Sequence, residues 1–439
     1  MRRARAGGAE ADGIVRARLG RPAQDVLEAV VVLEAWGGIP THDAFGVSAE
    51  VLAGRREPDA PARRWAPPDP GGRESVVAEG IALLMAILAV AAWAGPLSRE
   101  LGAAALARAL QIALPLTLAL QWTLRSRYLS RRAGLRCLLE DRTSLIFLAT
   151  AIGIPLSLLP PFGPVAGIFV VIWVGGTLLS RRGWGLGYGT LVVGEAWALG
   201  AGAPAMASLV VVAGATTLAV LVAIATSEAS TGEQPGRLAR ALAAGLIGAL
   251  LGGVLIGDAT LGWGVHGAFP ALALVPSVAG SLWGGFHLWQ FHAEIPRGLR
   301  GVPLAQAGGP IARGPAARIV LGALARLLGV TLVLSLGVIA AGHWTRGTDR
   351  PSLFVAFGCA ALVCLFVSLH ESLGYLRWAL FSAAAGLAVE LAAQRLFAVS
   401  VPGAALIAGA SVGAALALAP LTRRLRSPGR VLATALWIR

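Results

Sequence analysis

The sequence predicts an all-α membrane protein of about twelve transmembrane helices in two six-helix halves, with a short soluble helical arm ahead of them. Three observations predict it. Of 439 residues, 56% are hydrophobic and 14% charged, against about 45–50% and about 25% in soluble globular chains. About twelve apolar segments follow one another, each near the ~20 residues that cross ~30 Å of hydrocarbon. The basic residues are all arginine, and they fall on alternate gaps between those segments. Cytoplasmic loops of membrane proteins hold positive charge in this way.

Residues 1–75 read as a cytoplasmic arm and linker. Met1 to about Arg73 is polar and Arg- and Pro-rich, without the apolar start of a signal peptide. Pro22 to Trp36 forms a short amphipathic helix in this reading, closed by Gly37 and Gly38, because glycine suits a helix C-terminus. A second helix starts after Thr41 as N-cap. The prolines and charges of REPDAPARRWAPPDPGGRES make a linker. Such an arm is too small for an enzyme domain and suits docking to a cytoplasmic synthase or regulator.

The apolar segments are expected at about 76–95, 102–122, 143–160, 163–179, 184–201, 204–226, 238–257, 267–288, 319–342, 352–369, 378–394 and 400–421. They group as half 1 (76–226), a linker (227–237), half 2 (238–422) and a basic tail (423–439). Even-numbered gaps and the two tails carry thirty-one arginines, including Arg125, Arg127, Arg131, Arg132, Arg181, Arg182, Arg237, Arg240 and Arg377. Odd gaps carry four: Arg99, Arg346, Arg350 and Arg395. Both termini are therefore expected on the cytoplasmic side of the cytoplasmic (inner) membrane. The formal charge of +14 then reads as topogenic arginine in contact with anionic lipid headgroups, and no nucleic-acid partner is expected.

Longer basic gaps follow the second and eighth segments, which suggests a parallel repeat of six helices. Gly167–Trp197 and Ala360–Glu390 support it. Each leaves through Leu and Ser, turns on a Gly/Arg/aromatic stretch, and re-enters with a lone glutamate, Glu195 or Glu390.

Ionisable residues within spans are costly, about +2.5–3.5 kcal/mol on insertion scales, so they usually face an interior or a water-filled cavity. Four stand out: Arg108, Glu195, Arg326 and Glu390. In a functional reading the arginines meet anionic groups such as phosphate, and the glutamates balance charge or carry a coupling proton. In a structural reading Arg108 and Arg326 snorkel, and the glutamates pair with arginine or serine. His287 and His292 lie in an aromatic belt, His370 and Glu371 at the tenth turn, and Asp258, His266 and Asp349 in external loops. None has metal-ligand spacing, HExxH is absent, and Cys137, Cys359 and Cys364 form no metal or disulfide framework. No metal or cofactor is expected.

Gly-rich AAGLIGALLGGVLIG is a small-residue packing surface. A phosphate loop of the GxxxxGK[ST] type cannot exist in a chain without lysine. GxSxG and GxSG are absent, and GPLSREL is too short to hold the acidic pair of a multi-pass glycosyltransferase. Transport or scaffolding is expected rather than catalysis.

From His370 to Arg424 the chain resembles the end of the multidrug/oligosaccharidyl-lipid/polysaccharide flippase superfamily. The residues that carry the likeness are Leu373, Gly374, Arg377, Ala379 and Leu380 at a short turn, then Pro402, Gly403, Ala404 and Ala405 opening the last span. The turn from Leu179 to Gly189 resembles the corresponding place in the first half. Polysaccharide and lipid-linked oligosaccharide exporters look nearest. The resemblance implies alternating access, an anionic lipid-linked glycan as substrate, and arginines such as Arg108 and Arg326 in contact with it. The arm and the long loop from Gln290 to Arg318 depart from the family's simplest members. Two other readings stand beside it. One is a twelve-helix facilitator-type transporter of a small solute, although SRYLSRRAGLRCLLEDR lacks the glycine and ordered acidic residue of a GxxxDRxGRR signature. The other is a non-transporting membrane subunit of a polysaccharide synthesis or export complex.

Overall fold

A computed structural model describes residues 8–20, 23, 26–37, 39, 43–44, 47–48, 71–129, 141–157, 162–227, 238–256, 273–284, 310–344, 351–372, 375–396 and 401–425. All regular elements among them are helices.

The arm begins with α1 (Gly8–Leu19) and α2 (Val26–Ala35). They bury Ala11, Val15, Ala29, Val30, Val32 and Leu33 in a small core of their own. Helix α2 ends as expected at Gly37, whose N–H reaches Val32 O at 3.4 Å. Close approach is the reason, since a Cβ there would lie 2.6 Å from Leu33 O. Most of the second expected arm helix, with its Thr41 cap, lies outside the described residues.

A helix lies at each of the twelve expected positions of the bundle. The first six are α3 (Gly71–Leu101), α4 (Ala103–Leu124), α5 (Arg142–Ser157), α6 (Phe162–Arg181), α7 (Gly185–Gly200) and α8 (Ala205–Ala225). The second six are α9 (Leu238–Ile256), α10 (Ala273–Gly284), α11 (Pro310–Trp344), α12 (Pro351–Ser372), α13 (Leu376–Leu396) and α14 (Ala404–Leu425). Eight of them are long and apolar enough to cross a membrane: α4, α6, α8, α9, α11, α12, α13 and α14. Helices α5 and α7 have 16 residues each, about 24 Å at 1.5 Å per residue, and α10 is shorter still. Helix α3 has 31 residues and stands outside the eight. The expectation of twelve spans thus narrows, among the described residues, to eight candidates.

Two boundaries move. Helix α11 starts at Pro310 and α3 at Gly71, both earlier than expected. Pro310 and Pro351 each open a helix, where the missing N–H is one that a first turn leaves unpaired anyway.

The bundle has two large hydrophobic cores, and a small third cluster of Leu327, Ala361 and Leu365 joins α11 to α12. One gathers α3 to α8 around Trp93, Leu97, Leu106, Phe169, Leu209 and Val212. The other gathers α9, α12, α13 and α14 around Ile247, Phe357, Val363, Phe366, Ala383 and Leu406. They meet along α4 and α9. On α9, Gly245, Gly248 and Gly252 share one face, and they lie against Ala119, Leu118 and Pro115 of α4. Side chains there would hold the backbones apart: a Cβ on Gly252 would lie 2.6 Å from Pro115 Cα. Gly80 of α3, 3.4 Å by its would-be Cβ from Leu282 of α10, adds a smaller contact.

Contacts also give the helix directions. Gly245 with Thr123 and Gly252 with Pro115 make α4 and α9 antiparallel. Gly185 with Ala82 and Gly189 with Met85 make α3 and α7 parallel. Ser352 bonded to Pro402 O at 2.7 Å and His370 bonded to Ala417 O at 2.8 Å make α12 and α14 parallel. The ends of α4, α12 and α14 and the starts of α3, α7, α9 and α13 are therefore the ends that an alternating path puts on one side. The arginine-rich gaps adjoin those ends.

Charged caps hold α8 at both ends. Glu100, at the end of α3, accepts hydrogen bonds from the backbone N–H groups of Ala205 (2.9 Å) and Met206 (3.2 Å). Arg182, past α6, donates to Thr226 O at 2.8 Å. Anion at the N-terminus and cation at the C-terminus both oppose the helix dipole. Glu100→Ala should lower stability by about 1 kcal/mol, read from thermal unfolding in detergent.

Candidate functional site

Helix α13 is the most constrained element around a candidate residue. It follows a short turn closed by the Tyr375 N–H on His370 O at 2.8 Å. Ser382, Gly386 and Glu390 are spaced four apart, so they line one face. All three are buried, and Glu390 is 0% exposed. Helix α14 brings Gly409 and Gly413 onto that face. A Cβ on Gly409 would lie 2.6 Å from Glu390 Cβ, and one on Gly413 would lie 3.1 Å from Ser382 O. The helices touch backbone to backbone, and Glu390 sits over Gly409. Leu387, three residues before Glu390, packs on Gly253 of α9.

His370 extends the same polar line. It ends α12 fully buried, and its Nε2 donates to Ala417 O of α14 at 2.8 Å. The sequence placed it at the tenth turn. Its phase was legible, because it follows Val363, Phe366 and Val367 at helical spacing, and all three are core residues.

Arg108 is exposed on α4. It lies seven residues before Pro115, two turns and nearly the same azimuth. It is therefore on the face that α9 covers, about 10 Å beyond the Gly252 contact. Glu195 is half-buried on α7, on the face that carries Gly185, Tyr188 and Val192. Tyr188 anchors that face by donating to Ile172 O at 3.1 Å. Arg326 is half-buried on α11, beside Ala323 and the fully buried Leu327. Ala323 O faces Gly284 of α10 at that crossing. The four candidates thus occupy four helices, and no ion pair joins any two of them among the described residues. No three His, Cys, Asp or Glu side chains gather there either.

One arginine read as topogenic has a further contact. Arg127, in the π turn Arg125–Leu129 that continues α4, is buried and bonds Asp141 Oδ2 through Nη2 at 2.7 Å and Nε at 2.9 Å. Asp141 also accepts the Thr143 N–H at 3.0 Å and caps α5. Desolvation would raise the Asp141 carboxyl, but the Arg127 hydrogen bond, the Thr143 N–H and the Arg127 charge outweigh it. They hold it below its ordinary 3.8. The depressed value makes the bridge fully stabilising above the unfolded value, with the stabilisation lost as pH falls through the folded one. Thermal unfolding should therefore show acid destabilisation below about pH 4 that is smaller in Asp141→Asn.

The outer surfaces decide the solvent. Trp197 on α7 is 77% exposed and Val333 on α11 is 68% exposed, with Leu218, Leu321, Leu332 and Leu336 likewise exposed. Contiguous apolar faces on long helices belong against lipid. The chain is a multi-pass membrane protein. No family model, curated protein or solved structure matches it. Within this membrane protein, Glu390 and His370 are the ionisable side chains most deeply enclosed among the four candidates and their neighbours on α12 to α14.

Proposed function

We propose that this membrane protein is a transporter of the flippase type. It moves a polysaccharide or lipid-linked glycan across the cytoplasmic membrane by alternating access, with both termini in the cytoplasm. One observation carries the reading: two large cores meet along the glycine-lined contact of α4 with α9, and Arg108 lies on that face just past the contact. Rocking about such a contact changes access on one side and then the other. Helix pairing supports two related halves, since α7 packs on α3 and α13 packs on α9. In the order of segments these are the fifth on the first and the eleventh on the seventh. The chain without lysine has no P-loop ATPase of standard form, so flux follows a gradient or a downstream enzyme.

Arg108 and Arg326 draw the anionic head of the substrate, and Glu195 and Glu390 balance charge within the two halves. Proteoliposomes carrying a fluorescent polyprenyl-diphosphate oligosaccharide test this. Arg108→Ala and Arg326→Ala should slow translocation by about tenfold or more, as loss of a charge-assisted hydrogen bond of ~1.5–3 kcal/mol implies, with little change in thermal stability. Full activity in both variants would refute the assignment.

A further inference from the structure

The middle of helix α2 is enclosed on every side. Ala29, Val30, Val31, Val32 and Leu33 are each at most 1% exposed. Five consecutive positions at 100° each pass around the whole helix, and one neighbouring helix covers only one stripe. Helix α1 and residues 23, 39, 44 and 47 account for Ala29, Val30, Val32 and Leu33. Val31 belongs elsewhere. It joins the second bundle core, whose members near the ends of its helices include Leu369 of α12, Ala379 of α13 and Leu421 of α14. Those three lie at the ends beside the arginine-rich gaps, and the arm precedes α3, whose start is on that side.

The arm is therefore joined by chain to the core of α3 to α8 and seated by Val31 on the other core. We propose that it is a reversible strap. Docked through Val31, it holds the arginine-side ends of α12, α13 and α14 together. Detached, it frees them to open. A single apolar side chain contributes about 1.5–3 kcal/mol when fully buried, enough to bias such a contact without fixing it. This inference does not depend on what the protein transports.

Hydrogen–deuterium exchange on the full chain in nanodiscs tests it. In Val31→Asp, amides of 365–372, 376–383 and 417–425 should exchange about tenfold faster or more, as for a local opening, while those of α6 and α8 stay unchanged. Removal of residues 1–48 should reproduce the same pattern, which separates release of the strap from misfolding of the arm. Unchanged exchange at those ends in both variants would overturn the proposal. So would an equal acceleration in α6 and α8, which would mark general destabilisation.

Discussion

Gly252→Leu should separate the two cores and cost the protein its stable fold. The Cβ alone would lie 2.6 Å from Pro115 Cα and 2.9 Å from Pro115 N. A backbone, unlike a side chain, cannot rotate away. Overpacking costs typically about 1–3 kcal/mol, and here the whole contact must part, so about 3 kcal/mol or more is expected. Size-exclusion chromatography and thermal unfolding read it as a polydisperse sample with a lowered Tm. Gly214→Leu on α8 is the matched control, because nothing lies within 4 Å of its would-be Cβ. It should behave as wild type.

Glu390→Gln should fold normally and, under the proposed function, lose transport. Glutamine keeps the shape that fits over Gly409, so thermal stability should stay within about 1 kcal/mol. Translocation should fall by about tenfold or more, because the group able to carry charge is gone. A purely structural Glu390 predicts the opposite pairing, intact transport with altered stability. Natural chains keep costly polar groups where function needs them.

Helix positions were legible because hydrocarbon imposes length and composition together. A helix stands at each expected apolar segment, although α5, α7 and α10 fall short of a full span. The glycine stripe of α9 was legible as a packing face, since three glycines at helical spacing have few other uses in an apolar segment. Its partner was not, because nothing in the sequence pairs it with Pro115 and Ala119 rather than with another helix. Arg127 looked like any other topogenic arginine until Asp141, fourteen residues on, closed against it. Glu390 was singled out by its cost, yet its setting over Gly409 depended on the antiparallel crossing of α13 and α14. Arg108 was picked for being charged inside a span. Its place beside the α4–α9 contact needed the azimuth that only packing fixes.

Translocation of the fluorescent polyprenyl-diphosphate oligosaccharide across proteoliposomes of the purified chain is the most direct measurement. The account predicts protein-dependent loss of accessibility to a membrane-impermeant quencher, slowed in Arg108→Ala and Glu390→Gln and preserved in Gly214→Leu. A rate equal to that of protein-free liposomes, from a monodisperse and folded sample, would contradict it.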